Sequence, residues 1–257
     1  MKAPKIYRKR GGFTLIELIV VIAILGTLAT VGYGPIMDHL NDGDRQVAKD
    51  NLGNIYTELV GFTTDNSGRF PSDETAENLQ SKLDEDGIDY GPLQGDNSNC
   101  YFRQLIANKS EVAEKSFFAK VTGVTAEGDN KKANGKALQA GENAFSYVLR
   151  KAKDDGDAKY LSVNLSKSSP IVMTPTKKSA RMPVYDGTNV EFDLIPFRGH
   201  VFVLFTDKSV KDLRAGKEIK ENDDDDSIGT FTDDIFPQTR KGASTAGDYV
   251  ILGPELK

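Results

Sequence analysis

The sequence predicts an α+β protein, helical at its N-terminal end and built of strands mainly in its C-terminal half. Three observations carry that prediction. Residues 13–33 form a largely apolar run interrupted by a single charge, Glu17. Beyond it, Ala48, Leu52, Ile55, Leu59 and Phe62 recur at spacings of four, three, four and three, the period of a helix with one apolar face. Late in the chain, Val190, Phe192 and Leu194 alternate with Glu191 and Asp193, and Val201-Phe202-Val203-Leu204-Phe205 is continuously apolar. These are the patterns of a half-buried and of a central strand.

The apolar run is long enough to cross the roughly 30 Å hydrocarbon core of a bilayer as a helix. Lys2, Lys5, Arg8, Lys9 and Arg10 precede it with no acid among residues 1–12, which places the N-terminus in the cytoplasm and the body across the membrane. An ordinary secretory signal also begins basic and turns apolar, but its apolar region is usually 7–15 residues and closes on a small-residue cleavage site. A plain single-pass anchor would account for the length. It gives no reason for a carboxylate near the start of the run, where an ionisable side chain is costly and marks a functional residue.

Composition narrows the function further. The 257 residues suffice for one large domain or two small ones, with charged residues at 28% and hydrophobic ones at 38%. The formal net charge is −5. Without the five basic residues of the first twelve positions, 28 basic residues face 38 acidic ones. A body so acidic excludes nucleic acid as its main partner. Cys100 is the single cysteine, so no intramolecular disulfide can form. His39 and His200 are far apart in sequence and accompany no nucleophile motif, and no phosphate-cradling loop is present.

Gly12 followed by Phe13-Thr14-Leu15-Ile16-Glu17 resembles the processing site of type IV prepilins and type II secretion pseudopilins. The resemblance covers about the first tenth of the chain. It implies a leader, residues 1–12, that prepilin peptidase removes between Gly12 and Phe13, with N-methylation of the new Phe13 amine. It further implies a transmembrane and assembly helix over 13–35, an amphipathic continuation over 36–63, and a globular α+β domain over 64–257. The expected architecture is pilin-like, a long N-terminal membrane-spanning helix packed on a mainly antiparallel C-terminal β-sheet domain. Glu17 lies one helical turn beyond Phe13, so it can neutralise its own Phe13 amine or that of a neighbouring subunit. The resemblance favours the neighbour.

Asp65-Asn66-Ser67-Gly68-Arg69-Phe70-Pro71 resembles the loop that follows the long helix in major pseudopilins, with Ser67 inserted and Phe70 replacing tyrosine. Asp207, after the continuous apolar strand, matches a hairpin of prepilin-like proteins in which Lys208 replaces the usual glycine. Many pilins pin their C-terminal region with a disulfide, which this chain must do without. Major pseudopilins hold calcium in a C-terminal loop. That makes Asp223, Asp224, Asp225, Asp226, Asp233 and Asp234 the candidate ligands here. None fits a twelve-residue EF-hand loop, and a solvated acidic loop is the preferred reading.

The function read from these residues is structural and non-enzymatic. The expected partners are like and unlike pilin subunits, prepilin peptidase, the inner-membrane assembly platform and the lipid bilayer. The expected location is the bacterial inner membrane, with the body periplasmic or extracellular in a filament. A membrane-anchored periplasmic enzyme or binding protein carrying the same helix is the rival. Between the two lie several local expectations: a short helix from Ser72 or Asp73 to Leu83, an irregular stretch over 88–110, a strand at 117–121 and an exposed loop over 127–142. A kink or local melting of the helix is expected at Gly32, Gly34 and Pro35.

Overall fold

The computed structural model describes residues 13–125, 127–151, 160–161, 168–174, 176, 184–232, 235–236 and 245–256. Gly12, the rest of the leader, Asp233 and Asp234 lie outside them, as do the side chains of residues 31–38.

The first element, α1 (Leu15–Asp65), is a helix of 51 residues. It stays helical through Gly32, Gly34 and Pro35, so no melted segment interrupts it there. An internal proline removes one backbone hydrogen bond and leaves the others available to carry the helix on. Compact packing begins at Asp44, so the body comprises Asp44–Lys257 and includes the second part of α1. Within it Ala48, Leu52, Ile55, Leu59 and Phe62 are fully buried, as their spacing requires. Each of the four larger side chains contributes about 1.5–3 kcal/mol through burial. The helix ends where Ser67 and Gly68 turn left-handed. There the Asn66 side-chain amide donates to the Phe62 carbonyl at 2.9 Å, and the Gly68 N–H donates to the Thr63 carbonyl at 2.7 Å.

Two short helices follow. α2 (Asp73–Asp86) starts on a reciprocal cap between Ser72 and Thr75 and stops at Gly87, whose φ is 65°. α3 (Ser98–Asn108) is capped by Asn97 and occupies a stretch expected to be irregular. Nine of its residues, from Ser98 to Ile106, are buried, so it has no solvent face to give an amphipathic pattern. No strand forms over 117–121: the 3₁₀ turn Glu114–Phe117 ends at its first residue, and 118–121 run on without regular structure. Phe117, Ala119 and Val121 do point inward, but the Phe117 carbonyl accepts from the Ala144 N–H instead of from a strand ladder.

The loop over 127–142 is exposed over much of its length, as expected, but is fastened from beneath. Arg103, buried on α3, donates from Nε to the Ala137 carbonyl at 2.7 Å and from Nη2 to the Leu138 carbonyl at 2.9 Å. Glu114 accepts from the Leu138 N–H at 3.0 Å and the Asn130 N–H at 2.6 Å. Burial pushes the Glu114 carboxyl up, against the pull of those two amides. Ala137 and Leu138 are fully buried, which three glycines and a polar composition concealed.

The strands are β1 (Ser146–Lys151), β2 (Tyr160–Leu161), β3 (Pro170–Met173), β4 (Val184–Asp186), β5 (Phe192–Asp193), β6 (His200–Phe205), β7 (Val210–Arg214), β8 (Ile219–Glu221), β9 (Ile228–Phe231) and β10 (Tyr249–Leu252). Their main sheet runs β4-β10-β1-β3-β6-β7, with β2 paired to β1, and every pairing in it is antiparallel. β6, the continuously apolar segment, is paired on both sides as expected. β5, β9 and β8 form a second, three-stranded sheet. The alternating pattern around Phe192 yields only two strand residues, because turns at 187–188 and 195–198 bracket it.

Polar contacts complete the attachment of α1 to the sheet. Lys49 Nζ donates to Asp212 Oδ2 at 2.8 Å and lies 4.7 Å from the centroid of the Phe202 ring. His200 Nδ1 is 2.7 Å from the other Asp212 oxygen, and the Tyr56 hydroxyl donates to the Thr206 carbonyl at 3.1 Å. Partial burial works against the Asp212 charge, but the bonds from Lys49 and His200 outweigh it and hold its carboxyl below the usual carboxylate range. A depressed carboxylate stabilises the fold above its unfolded pKa, and the contribution is lost as pH falls through the folded value. Asp212→Ala is expected to cost on the order of 1–2 kcal/mol, discounted for the partial exposure of the pair. Urea melts at neutral pH and near pH 3 would check this, the difference between wild type and variant shrinking in acid.

Candidate processing and assembly segment

The start of α1 is built by two side chains three positions apart in the motif. Thr14 stands before the helix, and its carbonyl accepts from the Leu18 N–H at 3.3 Å. Its N–H and its hydroxyl both donate to Glu17 Oε2, at 2.8 and 2.7 Å, while the Glu17 N–H donates to Thr14 Oγ1 at 3.3 Å. This is a reciprocal capping box, Thr-x-x-Glu, which satisfies donors that a helix start leaves orphaned. Sequence reasoning singled out Glu17 and passed over Thr14. The signal was present in the Thr14-Leu15-Ile16-Glu17 spacing.

Phe13 sits outside the helix and is 81% exposed. Behind it Leu15, Ile16, Leu18, Ile19, Val20, Val21, Ile22, Ile24, Leu25 and Leu28 are all exposed, in every direction around the helix axis. A helix apolar all round belongs in a lipid or protein interior. Its few hydroxyls are compatible with such surroundings. Thr27 Oγ1 donates to the Ile24 carbonyl at 2.8 Å and Thr30 Oγ1 to the Thr27 carbonyl at 2.9 Å, so both are satisfied within the helix. Among the described residues no helix is long and apolar enough to cross a membrane. The apolar stretch whose side chains are described covers residues 15–30, short of the roughly 20 a bilayer requires.

The remaining candidates are placed elsewhere. His200 belongs to the Asp212 tie, and His39 is an exposed residue of α1. Cys100 is buried on α3, and burial pushes its thiol up, away from the reactive thiolate. Between β8 and β9, the Asp225 carboxylate accepts from the Ser227 N–H and hydroxyl, and Asp223 lies 3.9 Å from Lys220. No three acidic, histidine or cysteine side chains converge among the described residues. Residues 223–226 by themselves therefore bring no cluster of carboxylates together, and the other two candidates, Asp233 and Asp234, lie outside the described residues.

Replacing Thr14 with Val would remove the hydroxyl half of the capping box while preserving size. The first turn is expected to fray by about 1 kcal/mol. Faster amide exchange at Ile16 and Glu17 in the full chain, with exchange at Leu52 unchanged, would report it.

The prokaryotic N-terminal methylation motif matches residues 7–33. Among curated proteins, the type II secretion system core protein G of Pectobacterium carotovorum subsp. carotovorum is 41% identical over 68 residues, 26% of this chain and 42% of the relative. The protein of the same name from Dickeya chrysanthemi is 37% identical over 67 residues, 26% of this chain and 43% of the relative. That of Aeromonas hydrophila is 36% identical over 67 residues, 26% and 46%. The chain thus spans less than half the length of these curated relatives. No solved structure matches it. Over the segment that opens α1, the chain thus carries the prokaryotic N-terminal methylation motif and is similar to the core protein G of type II secretion systems.

Proposed function

We propose that this protein is a structural subunit of a type II secretion pseudopilus or a type IV pilus-like filament, anchored in the inner membrane before it assembles. One observation carries the reading. A single helix is apolar and exposed on all sides over residues 15–30 and buries one apolar stripe over residues 48–62. Such a helix needs one apolar environment before assembly and another after it. Lipid supplies the first, and the helices of like and unlike subunits supply the second. Prepilin peptidase cuts between Gly12 and Phe13, and the Phe13 amine is methylated. Glu17 then exchanges part of its capping contact with Thr14 for the Phe13 amine of a neighbouring subunit. A carboxylate in lipid costs on the order of 3 kcal/mol, and this pairing recovers some of it. No reaction is assigned to the protein.

The size of the body favours a minor, low-copy position over the main filament subunit. A stretch amounting to 26% of this chain amounts to 42% of the Pectobacterium relative, so this chain is about 1.6 times as long. A bulkier body crowds a helical lattice and is best accommodated where subunits are few.

Intact mass of the mature protein tests the processing step. A chain beginning at Phe13 with one added methyl is expected, and a chain beginning near residue 35 would mean ordinary signal cleavage. Assembly is tested separately with Glu17→Gln, which keeps size and loses charge. It should be cleaved normally yet be depleted in sheared filaments relative to its processed membrane pool. Wild-type incorporation would show that the charge does not direct assembly.

A further inference from the structure

The 127–142 loop carries Asn134-Gly135, the one Asn-Gly pair in the sequence. Both residues are left-handed, with φ of 59° and 70°. Asn134 is exposed, and its side chain makes no hydrogen bond among the described residues. Gly135, by contrast, is seated. Its N–H donates to the Asp89 carbonyl at 3.0 Å. A Cβ on Gly135 would lie 3.3 Å from Asp89 Oδ2, and a Cβ on Gly91 would lie 3.5 Å from the Gly135 carbonyl oxygen. The Asp89 carboxylate braces this seat by accepting from the Gly91 N–H at 2.7 Å. Three residues on, Leu138 holds a φ of 43°, a conformation costly for leucine that persists only while its surroundings enforce it.

We propose that Asn134 is a site of spontaneous deamidation, gated by the Asp89 bond, and that its conversion to isoaspartate unseats this part of the loop from residues 89–91. With no Cβ, glycine leaves its backbone nitrogen less shielded than any other residue does. Once that nitrogen gives its proton to solvent, it attacks Asn134 Cγ. The bond from Cγ to the side-chain nitrogen breaks, and that nitrogen takes protons from solvent and leaves as ammonia. Water then opens the cyclic imide. Breaking the imide bond to Cγ gives aspartate, and breaking the bond to the main-chain carbonyl carbon gives isoaspartate. The sum is one water consumed and one ammonia released, with no change of oxidation state. The Asp89 bond gates the first step, because the Gly135 proton is held by a carbonyl with a carboxylate close by. Isoaspartate inserts a methylene into the backbone where Gly135 already packs closely on Gly91, and it adds a negative charge near Asp89. Both changes oppose the seat. The site is independent of the filament reading.

The test incubates the full chain in detergent at mildly alkaline pH, folded or unfolded in urea, in water enriched in heavy oxygen. Mass spectrometry of peptides spanning residues 133–142 then reads the conversion, and fragmentation separates isoaspartate from aspartate. Asn134 should convert in the folded chain with isoaspartate as the main product, and at least about fivefold faster in urea, where the Asp89 bond is absent. Asp89→Ala, at an exposed position, should speed the folded-chain reaction about fivefold. In the isoaspartate form, amide exchange at Leu138 should quicken about fivefold while exchange at Leu52 stays unchanged. The comparison of folded and unfolded wild type needs no variant, so it stands even where Asp89→Ala loses stability. An Asn134 that stays intact in the folded chain while the unfolded chain converts fully overturns the site. Equal rates in the two states, or no acceleration in a folded Asp89→Ala chain, overturn the gate. Unchanged exchange at Leu138 after conversion overturns the unseating.

Discussion

Burial of one stripe of α1, from Ala48 to Phe62, is the interaction on which the rest of the body depends. The stripe reaches the core shared by α2, α3 and both sheets, so losing it would leave those elements without a common interior. The same helix is continuous with a segment whose apolar side chains have no interior within the chain. One element therefore meets two different demands. Over 48–62 its pattern has a polar side and an apolar side, and over 15–30 it has only apolar sides. The change of pattern separates the part that folds with the body from the part that must find its surroundings elsewhere.

The body is closed at its far end by polar groups instead of a covalent staple. Asn99 on α3 donates to the Leu138 carbonyl at 2.8 Å, and its oxygen accepts from Asn143 at 2.9 Å and from the Glu255 N–H at 3.0 Å. The Gly141 N–H donates to the Glu255 carbonyl at 2.7 Å, and the Ser98 N–H to that of Gly253 at 2.9 Å. These bonds bring the C-terminal residues, the 127–142 loop and α3 together. They do for a chain with one buried cysteine what a disulfide does in many pilins, through several contacts of about 1 kcal/mol each. Such a network is stringent, since a buried donor or acceptor that loses its partner costs more than the bond contributes.

The capping box gives Glu17 a defined starting state. Its carboxylate is already held by two donors from Thr14, so any later partner competes with a local bond instead of meeting a free charge. Under the proposed pairing, a neighbouring amine would have to offer a charge-assisted contact in a desolvated setting to win. In the proposed assembly that requirement would add to register selection, because a subunit docked out of step would break the cap and gain nothing.

What the sequence determined by itself was periodicity and local chemistry. The stripe at 48, 52, 55, 59 and 62, the central strand over 201–205, and the cap and stop of α2 at Ser72 and Gly87 were legible because each depends on neighbours within a few residues. The N-terminal methylation motif over 7–33 was legible for the same reason. Tertiary structure decided the rest. α3 was hidden because it is buried nearly all round, and the 127–142 loop because Arg103, Glu114 and Asn99 reach it from distant positions. The Lys49–Asp212–His200 tie likewise joins residues remote in sequence. Its hydrogen bonds exist only once the strands are in register, and no spacing along the chain encodes that.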